Sequence, residues 1–310
     1  MKKALVLGAS GGMGSAIVNE LQSRGVKVVA FARTEEKLKK LFGERSEVSI
    51  VPGDVFQYED LIQAAEGVDV IFHSVNIPYY EWAEKQETLM TNIVKASEQV
   101  GCKLAIVDNI YAYGKSQGEK VSEDSPKKPN TKKGVIRLKL ENIVKSSNTP
   151  WLIVHFPDFY GPNAEDTVLG QTLQAAANNK SGIYIGRKQL KREFIFIPDG
   201  AKAIAELANR ENAYGQNWNI PGYDVITGHE ILEILKDEAG YNKRVMTVKR
   251  GMIRFLGIFD KMMKEFVEMM YLNEQPVILS GEKYEKHIGP LPKTSYRQGI
   301  MRTLESMNRL

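Results

Sequence analysis

A single cysteine, Cys102, stands in 310 residues. That scarcity excludes an internal disulfide framework and any multi-cysteine zinc or iron–sulfur site, and it suits a reducing, cytoplasmic setting. Cys102 lies in a short Val-Gly-Cys-Lys turn with no histidine near it in sequence, so it reads as a bystander thiol. Long hydrophobic runs are missing as well. No stretch approaches the roughly 18 to 20 uncharged apolar residues of a membrane span, and the mean hydropathy is negative. Lys2 and Lys3 precede an apolar run, as in a signal peptide, but three glycines, Asn19, Glu20 and Arg24 interrupt it and no export signal is expected. Charge of one sign does not dominate: 42 Lys and Arg against 38 Asp and Glu leave +4. The densest basic patch, Lys127, Lys128, Lys132 and Lys133, has no aromatic ladder beside it. It reads as a solvated loop, not as a nucleic-acid surface. His73, His155, His229 and His287 fall in unrelated elements without ligand spacing, so no metal is expected.

What is present is an ordinary globular balance, 43% hydrophobic and 26% charged. The first half alternates short apolar runs with helical periodicity. Strands are expected at Ala4–Leu7, Val26–Ala32, Val48–Val51, Val70–His73, Leu104–Val107 and Trp151–Phe156. Between them, helices are expected at Met13–Ser23, Glu35–Phe42, Asp60–Ala65, Gln86–Val100 and Val135–Lys145. Such alternation predicts an α/β fold, a doubly wound parallel sheet with helices on both faces. Beyond Gly161-Pro162 the spacing loosens into a smaller C-terminal α/β lobe. The chain therefore divides into 1–160, a nucleotide-binding half, and 161–310, mainly a substrate lobe, with elements near 192–220 returning to the first half. A Met- and Phe-rich helix is expected within Met252–Tyr271. It reads as the buried face of the lobe in preference to a partner-binding helix.

Gly8, Gly11 and Gly14 follow the first strand at the mouth of the first helix. That spacing gives a tight turn, close backbone approach to a pyrophosphate and close helix packing, with the helix N-terminus facing the phosphates. The second strand ends Phe31-Ala32-Arg33-Thr34. No acid stands there for a ribose 2′-hydroxyl, whereas Arg33, helped by Lys37, can pair with a 2′-phosphate. The expectation is NADP over NAD. Asp54, after the third strand, can accept from an adenine amino group or cap a helix, and both readings stay open.

These residues resemble the extended short-chain dehydrogenase/reductase family, the NAD(P)-dependent epimerase/dehydratase group. The resemblance extends to Phe72-His73-Ser74, Asn92, Tyr111-Ala112-Tyr113-Gly114, Asp158-Phe159-Tyr160-Gly161-Pro162, Arg192-Glu193-Phe194-Ile195 and Gly289-Pro290-Leu291-Pro292. It implies cofactor contacts from Gly8, Ser10, Gly11, Gly12, Met13, Gly14, Arg33, Asp54, Val55, Ser74 and Asn92. It also implies substrate contacts from Asn76, Tyr113, Asp158 and Arg192. The departure from the family is chemical. Its acid/base tyrosine and the lysine four residues later fall on Lys133 and Arg137, and its helping serine or threonine falls on Asn109. In one reading Lys133 is the general acid/base, its ammonium destabilised by Arg137 and burial, Asn109 orients the substrate oxygen, Tyr111 adds a polar group, and Arg137 serves the nicotinamide ribose. In the other, Lys133 is a loop lysine pointing into water and the redox machinery is gone. The resemblance implies either an oxidoreductase or epimerase/dehydratase for a small carbonyl or hydroxyl compound, or an NADP(H) sensor without catalysis. Arg192 matches a position that binds diphosphate in sugar-nucleotide members. Asp158 would repel such a group unless paired, or else caps its own turn. The same resemblance makes a homodimer through Gln86–Val100 and Val135–Lys145 possible, although Lys139, Glu141 and Lys145 load that seam with charge.

Overall fold

The computed structural model describes residues 1–116, 118–164 and 166–307. Six strands and five helices alternate through the first half: β1 (Lys3–Leu7), α1 (Gly12–Ser23), β2 (Lys27–Ala32), α2 (Glu35–Phe42), β3 (Val48–Pro52), α3 (Tyr58–Ala65), β4 (Val70–His73), α4 (Trp82–Val100), β5 (Lys103–Asn109), α5 (Lys132–Lys145) and β6 (Trp151–Phe156). With the later strand Gln216–Asn219 they form one seven-stranded sheet. Its pairings are all parallel, in the order Gln216–Asn219, β6, β5, β4, β1, β2, β3.

The apolar runs are continuous because both faces of the sheet are covered. Within β1, Ala4 and Val6 join one core with α1, α2 and the helix Ile197–Ala208, whereas Leu5 and Leu7 join the other with α3, α4 and α5. Val28, Ala30, Phe72 and Val154 follow the first side; Val29, Phe31, Ile71 and Ile153 follow the second. Period-two alternation therefore survives in a strand that shows none in hydropathy. Each large aliphatic side chain so buried contributes roughly 1.5–3 kcal/mol.

Two later elements return to this sheet: Gln216–Asn219 pairs with β6, and Ile197–Ala208, with a proline in its first turn where no N–H is needed, packs on α1. The remaining elements build around a third core of Tyr160, Leu173, Tyr184, Phe194, Ile231 and Ile300. Its strands form a three-stranded sheet, Val225–Ile226 with Arg192–Phe196 and Asp158–Tyr160, and a parallel pair, Gly182–Ile185 with Val245–Val248.

Two failures bear on the site, beside an α4 that starts at Trp82, four residues before the expected Gln86. The helix expected within Met252–Tyr271 is broken into Arg250–Leu256, Lys261–Phe266 and a 3-10 turn at Val267–Asn273. The first piece ends at Gly257, and Asp260 starts the second by accepting from the Met263 N–H at 2.8 Å. The buried face expected for this stretch is only half there: Met269, Met270 and Tyr271 are buried, but Phe255, Ile258 and Phe259 are exposed. The second failure concerns α5, which begins at Lys132, three residues before the expected start, because Thr131 caps it by accepting from the Gly134 N–H at 3.0 Å. Lys132 and Lys133 thus belong to a helix and not to a loop, and Lys133 is buried.

Candidate dinucleotide and substrate site

In the order of the sheet, β1, β2 and β3 run to one side and β4, β5 and β6 to the other, so the chain reverses direction across the sheet between β1 and β4. The loops after those strands part there and leave a crevice. Gly8 sits at its floor with φ +80, and a Cβ there would lie 3.0 Å from the Ser74 carbonyl and the Val75 nitrogen. A Cβ on Gly14 would lie 2.1 Å from the Gly8 oxygen. No side chain larger than hydrogen fits at Gly14, so α1 starts directly against the end of β1. The Gly8 and Ala9 N–H groups both donate to Phe31 O, at 3.0 and 3.1 Å, which ties the turn to β2. The cap residue of α1, Gly11, offers no side-chain acceptor. The first-turn N–H groups therefore present an uncompensated positive end. Met13 is buried in the core, so its backbone is the part left for a ligand. One brace has no counterpart in the sequence reading: Asn163 donates its side-chain amide to Ser10 O and Ser15 Oγ, each at 3.2 Å.

Arg33 and Lys37 are exposed beside this crevice, and neither makes an ion pair among the described residues. Asp54 does not cap α3, whose cap position is Gln57. Instead its Oδ1 accepts from the Phe56 N–H at 3.1 Å, an Asx turn that leaves the second oxygen available. Val55 is buried, and Asn92 supports the same loop by donating to Val55 O and Phe56 O at 3.3 Å. Ser74 Oγ donates to Leu7 O at 2.8 Å, while Asn76 is exposed. Asn92 and Ser74 therefore shape the crevice through the backbone.

Around the positions of the missing pair the side chains are tightly committed. Lys133 Nζ reaches Glu265 Oε2 at 2.5 Å and Glu268 Oε1 at 2.7 Å, and lies 5.3 Å from the Tyr79 ring centroid. The charged groups it touches are thus carboxylates from residues more than 130 positions away, with no signature in the sequence near Lys133. Both readings of its surroundings need correcting: Lys133 does not point into water, and the charges against its ammonium are the stabilising carboxylates of Glu265 and Glu268, while Arg137 is turned to Asp108 and Trp82. Arg137 lies over Trp82 at 4.5 Å and pairs with Asp108 at 3.5 Å, while its buried Nε has no partner among the described residues. Burial, then the Arg137 charge, push the neighbouring His73 down to about 3, so it is neutral. Asn109 Oδ1 accepts from the Tyr111 N–H at 3.0 Å. The Tyr111 and Tyr79 hydroxyls are 2.6 Å apart. Burial pushes Tyr79 up to about 12 and Tyr111 well above its ordinary value, so both are protonated at neutral pH.

Tyr113 donates to Asn219 Oδ1 at 2.8 Å and is buried. Lys127 covers its ring at 5.0 Å and reaches Glu141 and His155. Burial alone would raise the Glu141 carboxyl, but His155 and Lys127 hold it below the ordinary carboxylate range. The four-lysine patch therefore divides: Lys128 and Lys132 are exposed, whereas Lys127 and Lys133 are engaged within the protein. Asp158 does not cap its own turn but pairs with Arg192 at 2.6 Å. The two border a cavity of about 10 Å³, the size of one water molecule, together with Ile110, Glu193 and Leu272.

A parallel sheet that reverses at a glycine turn, with an uncapped helix end above it, defines a dinucleotide-binding Rossmann protein of the extended short-chain dehydrogenase/reductase kind. Residues 8–190 match the family model described as NAD(P)H-binding, and the chain belongs to that family. It is 26% identical over 263 residues to an uncharacterized UDP-glucose epimerase of Bacillus subtilis (strain 168), YtcB, with 77% of this chain and 82% of the relative covered. Its fold matches the UDP-glucuronic acid 4-epimerase of Bacillus cereus in complex with NAD, with a TM-score of 0.81 and 18% identity over 99% of each chain. It also matches the dTDP-glucose 4,6-dehydratase of Bacillus anthracis in complex with NAD, with a TM-score of 0.82 and 17% identity over 100% of this chain and 97% of that one.

Proposed function

We propose that the protein binds NADP(H) in preference to NAD(H) and acts as an oxidoreductase or epimerase/dehydratase on a small carbonyl or hydroxyl compound. The observation that carries the cofactor choice is Arg33, exposed and without an ion pair among the described residues where a carboxylate would select NAD. Its planar fork suits a 2′-phosphate. Gly8, Ser10, Gly11, Gly12, Met13 and Gly14 would line the pyrophosphate at the α1 N-terminus. The free oxygen of Asp54 and the Val55 backbone would meet the adenine, and the unpartnered Arg137 Nε fits a ribose hydroxyl. When bound, the nicotinamide supplies or accepts hydride.

Lys133 would hold the substrate oxygen and move its proton. An ammonium has three N–H donors; Glu265 and Glu268 take two, and the third is left for a substrate. Tyr79 and Tyr111, held protonated by burial, can orient that oxygen but cannot serve as the base. The UDP-sugars named for the relatives are poorly served here. Arg192, at the position that would meet a diphosphate, is committed to Asp158. A smaller substrate is consistent with that pairing.

A second reading, an NADP(H) sensor without turnover, is favoured by the carboxylate clamp on Lys133 and the water-sized cavity beside Asp158. Titration with NADPH and NADH, followed by nicotinamide emission, tests the cofactor. NADPH consumption against a panel of carbonyl compounds, with native chain and Lys133→Met, tests the chemistry. Preference for NADPH with substrate-dependent oxidation that Lys133→Met abolishes supports the enzyme. Tight NADPH binding with no oxidation selects the sensor, and binding of neither nucleotide overturns both readings.

A further inference from the structure

The helices Arg250–Leu256 and Lys261–Phe266 form a hairpin whose two edges differ in chemistry. Its acids are engaged: Glu265, with Glu268 just beyond the second helix, binds Lys133, and Asp260, exposed at the turn, caps the second helix. At the outer end Phe255, Ile258 and Phe259 are 63%, 71% and 81% exposed, with Leu256 and Met252 beside them. Monomer surfaces rarely leave such a cluster open without a use. Arg254 and Lys264 stand beside it, Lys261 follows it and Lys249 precedes it in the chain, all four exposed and without ion pairs among the described residues, whereas Arg250 pairs with Glu274. Glu265 and Glu268 thus turn to Lys133, Asp260 stays exposed at the turn with its Oδ1 engaged by the Met263 N–H, and the unpaired cations stand exposed with the apolar tip. Arg254 and Lys264 flank a groove of about 690 Å³ walled by Phe255, Ile258 and Val267, which juxtaposes two cations with an apolar floor.

We propose that this hairpin tip docks on an anionic phospholipid surface, with Phe255, Ile258 and Phe259 entering the interface and the four cations meeting lipid phosphates. The charge arrangement selects this partner. Apolar residues projecting within a collar of unpaired Lys and Arg match an interface of hydrocarbon beneath negative headgroups, and long basic side chains reach those headgroups from a buried tip. No helix among the described residues is long and apolar enough to cross a membrane, so the contact is peripheral.

Cosedimentation of the full chain with vesicles tests the proposal. Binding is expected to vesicles containing phosphatidylglycerol and not to vesicles of phosphatidylcholine alone, and to weaken with salt. Each cation removed should weaken partitioning by about fivefold, so Lys261→Gln with Lys264→Gln should lose roughly twenty-five-fold. Ile258→Ser with Phe259→Ser should lose at least about tenfold. Both pairs are exposed, and a far-ultraviolet spectrum unchanged from the native chain secures the comparison. No sedimentation with either vesicle, or sedimentation that neither pair of substitutions changes, overturns the proposal. So does a chain that ignores vesicles yet passes from dimer to monomer on Ile258→Ser with Phe259→Ser, which would make the tip a contact between copies.

Discussion

Lys133→Met removes the cation that, among the described residues, joins α5 to the segment Lys261–Asn273, while keeping nearly the same side-chain length over the Tyr79 ring. Lys133 is 2% exposed, and its carboxylate partners Glu265 and Glu268 keep 35% and 24% of their side chains in water. Removing one member of a fully buried ion pair costs about 3–5 kcal/mol, because the other charge is left without compensation. Glu265 and Glu268 can recover part of their hydration, so the expected loss is smaller, about 1–3 kcal/mol. On a chain of this size that corresponds to a fall in melting temperature of roughly 2–6 °C. Adding Glu265→Gln and Glu268→Gln to Lys133→Met should return most of the loss, since the stranded charges are then gone. Thermal melts followed by circular dichroism measure all three chains. If Lys133→Met melts with the native chain, or if the triple variant melts no higher than the single one, the ammonium is not what holds the segment and the clamp argument fails.

Gly14→Ala forces a Cβ into the 2.1 Å gap against Gly8 O, so α1 must shift; NADPH emission titration should show at least a tenfold loss of affinity, and an unchanged titration would contradict the close approach. Arg33→Glu should weaken NADPH by about ten- to a hundredfold, the worth of a charged hydrogen bond, while sparing NADH; equal losses for both nucleotides would remove Arg33 from the 2′ position. Burial pushes the Glu193 carboxyl up to about 7 despite the Leu279 N–H donated to it at 3.1 Å. Its folded value exceeds its unfolded one, so the native state holds the extra proton. Stability from this group is full below about pH 4.5 and is lost as pH rises toward about 7. Glu193→Gln, which mimics the protonated form, should be more stable than the native chain by about 3 kcal/mol at pH 8 and equal to it at pH 4, measured by denaturant melts; a pH-independent difference would exclude this linkage.

The sequence foretold the first half of the fold because local periodicity and burial coincide there. The strands Val70–His73 and Trp151–Phe156 begin and end where their apolar runs do, and the helix Glu35–Phe42 where its polar-faced periodicity does. The glycine turn was legible for the same reason: Gly8, Gly11 and Gly14 act within one strand-turn-helix unit. What escaped depends on partners distant in sequence. Nothing near Lys133 announces Glu265 or Glu268, and the spacing of Asp158 and Arg192 does not reveal their pairing. Asn163 has no local signal either, because the Ser10 and Ser15 groups it braces lie about 150 residues earlier in the chain. The long helix expected within Met252–Tyr271 failed because its apolar residues serve two surroundings, an interior at Met269–Tyr271 and water at Phe255–Phe259, which periodicity alone does not distinguish.

Asn163 ties the chain beyond Asp158–Tyr160 to the glycine turn. It leaves the strand Asp158–Tyr160 of the smaller lobe, adopts φ +58, and ends with its amide on Ser10 and Ser15 of the glycine turn. If a dinucleotide orders that turn and a substrate orders the segment after Asp158, each would raise the other's affinity by the same factor. Asn163→Ala is then expected to leave each ligand able to bind alone while removing that mutual help, and an affinity ratio unchanged by the substitution would exclude the amide as the link.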